Sequence, residues 1–162
     1  MQGQAVAIDT TPSPNLNPTD PQVTTDADIT TQSGNLAGRT NTTTPEHYQE
    51  LGYDPASQQF RQAEADTGVR IENERGVHLT RSPQRDAGPD WIGSDGKTYD
   101  AVGNFDSRYL DRQWPTFQNR ILDHLRKADF VPVDVSKFTA EQITRIKEFI
   151  EPLEPRVFLV GE

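Results

Sequence analysis

The chain has 162 residues, a net charge of -9 and no cysteine. Cysteine-free composition excludes disulfides and thiolate metal sites, and the acidic balance argues against indiscriminate nucleic-acid binding, which needs Lys and Arg to displace counterions. With 32% hydrophobic residues and a mean hydropathy of -0.79, the chain carries a modest core and no apolar run long enough to span a membrane.

Residues 1–45 are rich in Thr, Pro, Asn, Asp and Gln, with no period of 2 or 3.6. They read as a flexible linker that cannot bury enough apolar surface to offset its ordering entropy. Nor do the first nine residues have the basic region and long apolar core of a secretory signal. A domain over 46–162 follows, opening with a short helix over Glu46–Tyr53. From Pro55 the spacing predicts a helix with Phe60, Ala63, Thr67 and Ile71 on one face, stopped by Gly76. Glu64 sits beside that face and is placed to point inward along a sheet edge, whereas Glu72 and Glu74 read as solvated.

Val77–Arg81 alternates like a strand, and Ser82–Gly88 reads as a polar loop. The stretch Pro89–Gly103 then reads as a β-hairpin around Ser94-Asp95-Gly96, its second strand including Thr98, Tyr99 and Val102. A two-residue turn would send Asp90 and Asp100 to different faces; a three-residue loop with Gly96 left-handed would set them directly opposite each other. Facing like charges destabilise a ladder, so either both are solvated at its ends or a divalent cation lies between them. Asp95 reads as the turn residue.

After a loop from Gly103 to about Gln113, Trp114-Pro115 opens a helix with Phe117, Ile121, Leu122 and Leu125 inward. Phe130–Val135 is a strand, read as near an edge because of Pro132. Thr139-Ala140-Glu141-Gln142 is a capping-box start to a helix that runs to Pro152, and Arg156–Gly161 is a last strand. Strand, helix, strand at the end favours parallel pairing. The fold class is therefore α/β, with a mixed sheet flanked by helices.

That element order also resembles the restriction-endonuclease-like nucleases, the PD-(D/E)XK group. Glu64 resembles their helical Glu, Pro89-Asp90 their PD pair and Asp100 their (D/E). Residues from about 56 to 162 more closely resemble the C-terminal toxin domains of CdiA contact-dependent growth inhibition proteins. That likeness lies in Pro89-Asp90-Trp91, Gly96-Lys97-Thr98-Tyr99-Asp100 and His124-Leu125 through Lys127-Ala128-Asp129 to Val135. Val102 stands where the nuclease pattern has Lys. Lys127 is the first candidate for a migrated lysine, His124 one turn earlier is a candidate acid or base, and Lys97 and His78 read as solvated tip and plain strand residue.

The resemblance implies a metal-dependent nuclease toxin. Glu64, Asp90 and Asp100 would hold a divalent metal, Mg²⁺ first and Mn²⁺ or Zn²⁺ next. The target would be tRNA in preference to DNA. Delivery would be as the end module of a secreted effector acting in the target-cell cytoplasm, with a cognate immunity protein as partner. Candidates for backbone binding are Arg70, Arg75, Arg81, Arg85, Arg120, Arg126 and Lys127. A non-catalytic binding module, an enzyme acting on a small phosphorylated substrate and an acidic nucleic-acid mimic are the competing readings.

Overall fold

A computed structural model of the chain describes residues 43–83 and 88–162. The linker reading of 1–45 lies outside these residues as far as 42, as do Arg85 and the middle of the predicted polar loop. Helix α1 (Pro45–Gly52) starts where Thr44 accepts the amide of His47 and Pro45 fills the first turn.

The predicted helix from Pro55 is wrong at its start. Tyr53–Asp54 (β1) and Gln59–Phe60 (β2) form a small antiparallel hairpin. Asp54 turns that hairpin by accepting from Ala56 N (2.9 Å) and Ser57 Oγ (2.7 Å), and Gln58 takes a positive φ of 57°. Such local side-chain bonding competes with helix formation. Helix α2 (Gln62–Arg75) therefore begins later and ends at Gly76, which is left-handed at φ 69°. Its buried face is Ala65, Thr67, Gly68, Ile71 and Glu72; Ala63 is exposed and Phe60 keeps 39% of its surface. Glu72, read as solvated, is instead buried, with one oxygen accepting the amide of Leu79 at 2.7 Å.

Strands β3 (Leu79–Arg81), β4 (Trp91–Gly93) and β5 (Thr98–Tyr99) pair antiparallel in that order. Strands β6 (Val102–Gly103), β7 (Val131–Asp134) and β8 (Val157–Val160) pair parallel in theirs. A parallel bridge between Tyr99 and Phe130 joins the two halves, with Phe130 N donating to Thr98 O (3.0 Å) and Asp100 N to Phe130 O (3.1 Å). The second hairpin strand is thus interrupted at Asp100-Ala101, and Val102 belongs to the parallel half.

β7 is an inner strand between β6 and β8, which corrects the edge reading of Pro132. Phe130 N faces β5 and Val131 N faces Arg156 O at 2.8 Å. Alternation then turns the Pro132 nitrogen toward Asp100-Ala101, where the neighbouring strand is broken, so little ladder bonding is lost there. Helix α3 (Trp114–Leu125) and helix α4 (Ala140–Ile150) bury Phe117, Ile121, Ile146 and Ile150 in the core of the parallel half. The predicted capping box at Thr139 and Gln142 is present. A second core gathers Leu51, Ala65, Ile71, Leu79, Trp91 and Tyr99 between α1, α2 and the antiparallel half. The observed architecture is the mixed α/β fold read from the sequence. Among the described residues no helix is long and apolar enough to cross a membrane.

Candidate active site

The hairpin takes the three-residue loop. Trp91 pairs with Tyr99 and Ile92 with Thr98, so the next position outward sets Asp90 opposite Asp100. Gly93 N donates to Lys97 O at 2.8 Å, and Gly96 is left-handed at φ 79°. Asp95 makes the turn as read, accepting Lys97 N at 3.0 Å and the Tyr99 hydroxyl at 2.6 Å. Lys97 itself is exposed at the tip.

Each facing acid is held differently. Asp90 Oδ2 accepts the amide of Ala101 at 3.0 Å, a donor made available by the break in the strand. Asp90 Oδ1 lies 3.9 Å from Arg81 Nη2, which also lies 2.7 Å from Glu64 Oε2. Arg81 on the edge strand thus links the helical Glu to the hairpin Asp. Asp100 is buried, with Oδ2 3.0 Å from His124 Nδ1 and 3.1 Å from Lys127 Nζ. His124 stands in the last turn of α3, and Lys127 lies just beyond that helix. Val102 is buried in the core of the parallel half and carries no charge to the cavity it borders.

These groups meet at one cavity of about 360 Å³, lined among others by Glu64, Asp90, Asn104, Arg120 and His124. A second depression shares Arg120 and His124 and adds Lys127. Asn104, at φ 57°, donates to Ala63 O (2.8 Å) and Thr67 Oγ1 (3.1 Å), tying the floor of the cavity to α2 beside Glu64. Of the five site residues expected from the sequence, Glu64, Asp90 and His124 line this cavity; Asp100 lies behind it against His124, and Lys127 lines the adjoining depression.

Burial, with Asp100 and Glu64 nearby, pushes Asp90 up to about 8, and Arg81 and the Ala101 amide only partly offset this. Burial also works to raise Asp100, but His124 and Lys127 outweigh it and hold that carboxyl below its usual value. Without a cation, the site carries its proton on Asp90 and its charge on Asp100. From about pH 4 to pH 8 the folded state then keeps a proton that the unfolded chain releases, so stability falls as pH rises through that window. Replacing Asp90 by Asn, which is neutral throughout, should stabilise the metal-free protein at pH 8 by on the order of a few kcal/mol. At pH 4 the gain should vanish. The figure is held to a few because Asp90 keeps 21% exposure. Urea unfolding in EDTA at both pH values measures it, and a pH-independent difference would count against this charge distribution.

Asp90 and Asp100 face each other across the hairpin, with Glu64 tied to Asp90 through Arg81. Glu64 Oε2 and Asp100 Oδ2 are buried and accept no hydrogen bond, their cationic neighbours sitting off the line of a donated proton. Among the described residues, three carboxylate or imidazole ligand atoms gathered within 4.8 Å of one another belong to His47, Glu72 and His78, not to these acids.

A family model described as the CdiA C-terminal tRNase domain matches residues 62–157. The chain belongs to this family. The tRNA nuclease CdiA of Burkholderia pseudomallei is 31% identical over 124 residues, which is 66% of this chain and 9% of that protein. The chain thus spans a small fraction of that relative's length. A CdiA-CT toxin from Burkholderia pseudomallei, solved in complex with its cognate CdiI immunity protein, matches with a TM-score of 0.54 at 27% identity. That match covers 62% of this chain and 99% of the toxin chain. The matched family segment contains every acid of the cavity together with His124 and Lys127.

Three contributions of the tRNase-family domain were missed from the sequence. Arg81 was read as a backbone binder, although its place on an alternating strand next to a Glu-bearing helix was the available signal. Asn104 and Thr67 carry no local motif at all. Of the other cationic candidates, Arg70 is committed to Asp134 at 2.7 Å, Arg75 lies 4.0 Å over the Phe158 ring and Arg126 pairs with Asp123, leaving Arg120 and Lys127 at the cavity.

Proposed function

We propose that this domain hydrolyses phosphodiester bonds in tRNA at the cavity between Asp90, Asp100 and His124, as the toxic end module of a growth-inhibition effector acting in the target-cell cytoplasm. The observation that carries this reading is the placement of His124 and Lys127 on one oxygen of Asp100, opposite Asp90. A divalent ion, Mg²⁺ first and Mn²⁺ or Zn²⁺ next, would supply an activated water and offset charge on the scissile phosphate. Asp90 and Asp100 would hold it, with Glu64 reaching it through water. Lys127 replaces the lysine missing at Val102 and binds a non-bridging phosphate oxygen. A small rotation of His124 would let Nδ1, 3.0 Å from Asp100, donate to it, leaving Nε2 to pass a proton to the leaving oxygen. Arg120 takes an adjoining phosphate, and Arg81 keeps Glu64 in place. A cognate immunity protein would cover this face in the producing cell; the related toxin is bound by its own cognate CdiI.

A second reading has its own support. Lys127 and His124 already offset the charge of Asp100, so an Asp100–His124 pair could act as acid and base without an ion. The test is incubation of the full chain with total tRNA and with plasmid, in Mg²⁺, Mn²⁺ or Zn²⁺ and then in EDTA. The expected result is tRNA cleavage with Mg²⁺ that EDTA abolishes. Cleavage surviving EDTA would favour the metal-free pair, and cutting of plasmid alone would make the domain a DNase. Binding without cleavage in every condition would leave a non-catalytic module.

A further inference from the structure

Far from the hairpin acids in the fold, His47 on α1, Glu72 on α2 and His78 just before β3 bring three ligand atoms within 4.8 Å of one another. We propose that His47, Glu72 and His78 form a second metal site, selective for a borderline ion such as Zn²⁺, that fastens α1 to the body of the domain. Ligand atoms on a tetrahedral Zn²⁺ with bonds of 2.0–2.1 Å lie about 3.3 Å apart. Here Glu72 Oε1 lies 2.8 Å from His47 Nε2 and 3.4 Å from His78 Nδ1, close to that spacing.

The surroundings are those of a prepared site. Glu72 is buried, and its Oε1 is fixed by the Leu79 amide. The other ring nitrogen of His47 lies 3.5 Å from Glu50 Oε2. His47 Nε2 hydrogen-bonds Glu72 Oε1; Zn²⁺ would displace that proton, and Glu50 would then take the Nδ1 proton as the outer support of the metal-bound imidazole. The two imidazole rings stack at 4.5 Å with 19° between their planes. Two nitrogens and one carboxylate oxygen suit Zn²⁺ and disfavour Mg²⁺, which takes oxygen ligands. His78 is 67% exposed, so the fourth position opens to solvent. His47 precedes the family-matched segment 62–157, while Glu72 and His78 lie within it. The ion would thus join a flanking helix to the nuclease body.

The test uses the full chain carrying Asp90→Asn and Asp100→Asn, which silences the hairpin acids, after chelator treatment. Zn²⁺ is titrated by calorimetry, Co²⁺ is followed by its visible absorption and thermal unfolding is read with and without Zn²⁺. One equivalent should bind and raise the unfolding temperature. His78→Ala on the same background should weaken binding by about 100-fold or more and abolish the thermal shift, and Glu50→Gln should weaken it by about tenfold. In the otherwise native chain His78→Ala should leave tRNA cleavage unchanged. Absence of Zn²⁺ binding in the background protein, or equal affinity with and without His78, would overturn the site.

Discussion

Asp100→Asn should lower tRNA cleavage by about 10³-fold or more while the protein remains folded. Losses of two to three orders of magnitude follow removal of a single preorganised polar group from a catalytic centre. Asp100 joins three functions: it faces Asp90 across the hairpin, fixes the His124 ring and holds Lys127. Asn keeps the shape but removes the charge that Lys127 and His124 are set against. Lys127→Ala should cost less, about 10²-fold, because Asp100 and His124 stay in place. Lys127 and His124 keep some exposure and regain water, so the fold should survive. Single-turnover cleavage of purified tRNA, with circular dichroism as the folding control, measures both variants. An Asp100→Asn protein that cuts at the native rate would place the chemistry elsewhere.

Asp134→Ala should give the largest loss of stability, on the order of 2–3 kcal/mol. Asp134 is fully buried at the end of β7. Its Oδ2 accepts from Thr67 Oγ1 (2.6 Å) and Arg70 Nη1 (2.7 Å), and its Oδ1 from Ser136 N (3.0 Å) and Oγ (2.6 Å). Alanine would remove the acceptor of all four, leaving the Thr67 hydroxyl proton without a buried acceptor, while Arg70 and Ser136 reach solvent. The backbone leaves no slack nearby: a Cβ on Gly103, at φ 101°, would stand 2.3 Å from Asp134 O. Thr67 also receives Asn104, which holds Ala63 next to Glu64, so the variant should lose activity beyond its loss of folded protein. Arg70→Ala should be milder, because Arg70 is one of several donors and is partly exposed. Urea unfolding at neutral pH measures the series. A cost for Asp134→Ala below about 1 kcal/mol would show that these bonds are replaced by water.

The sequence carried the site further than it carried the frame around it. Gly96 needs a left-handed turn, that turn sets the register, and the register places Asp90 against Asp100; each step is local. Lys127 could be nominated because it stands one turn after His124, although its contact with Asp100 spans 27 positions. The capping box at Thr139 was legible for the same local reason. Pro55 misled because the same residue suits a first helical turn and a hairpin, and only the bonds of Asp54 decide between them. Glu72 was taken for surface because helical spacing says nothing about a buried acid whose partners lie on other elements. Pro132 misled because its missing donor meets a gap in the neighbouring strand, and a gap in one strand is invisible in the sequence of another.

That gap divides the enzyme as well as the sheet. Glu64 and Asp90 belong to the antiparallel side, His124 and Lys127 come from the helix packed on the parallel side, and Asp100 sits on the seam. Neither half alone holds a working set of groups. A chain with only one of the two halves closed would therefore lack the complete set, so cleavage at this site should appear only when both halves are folded.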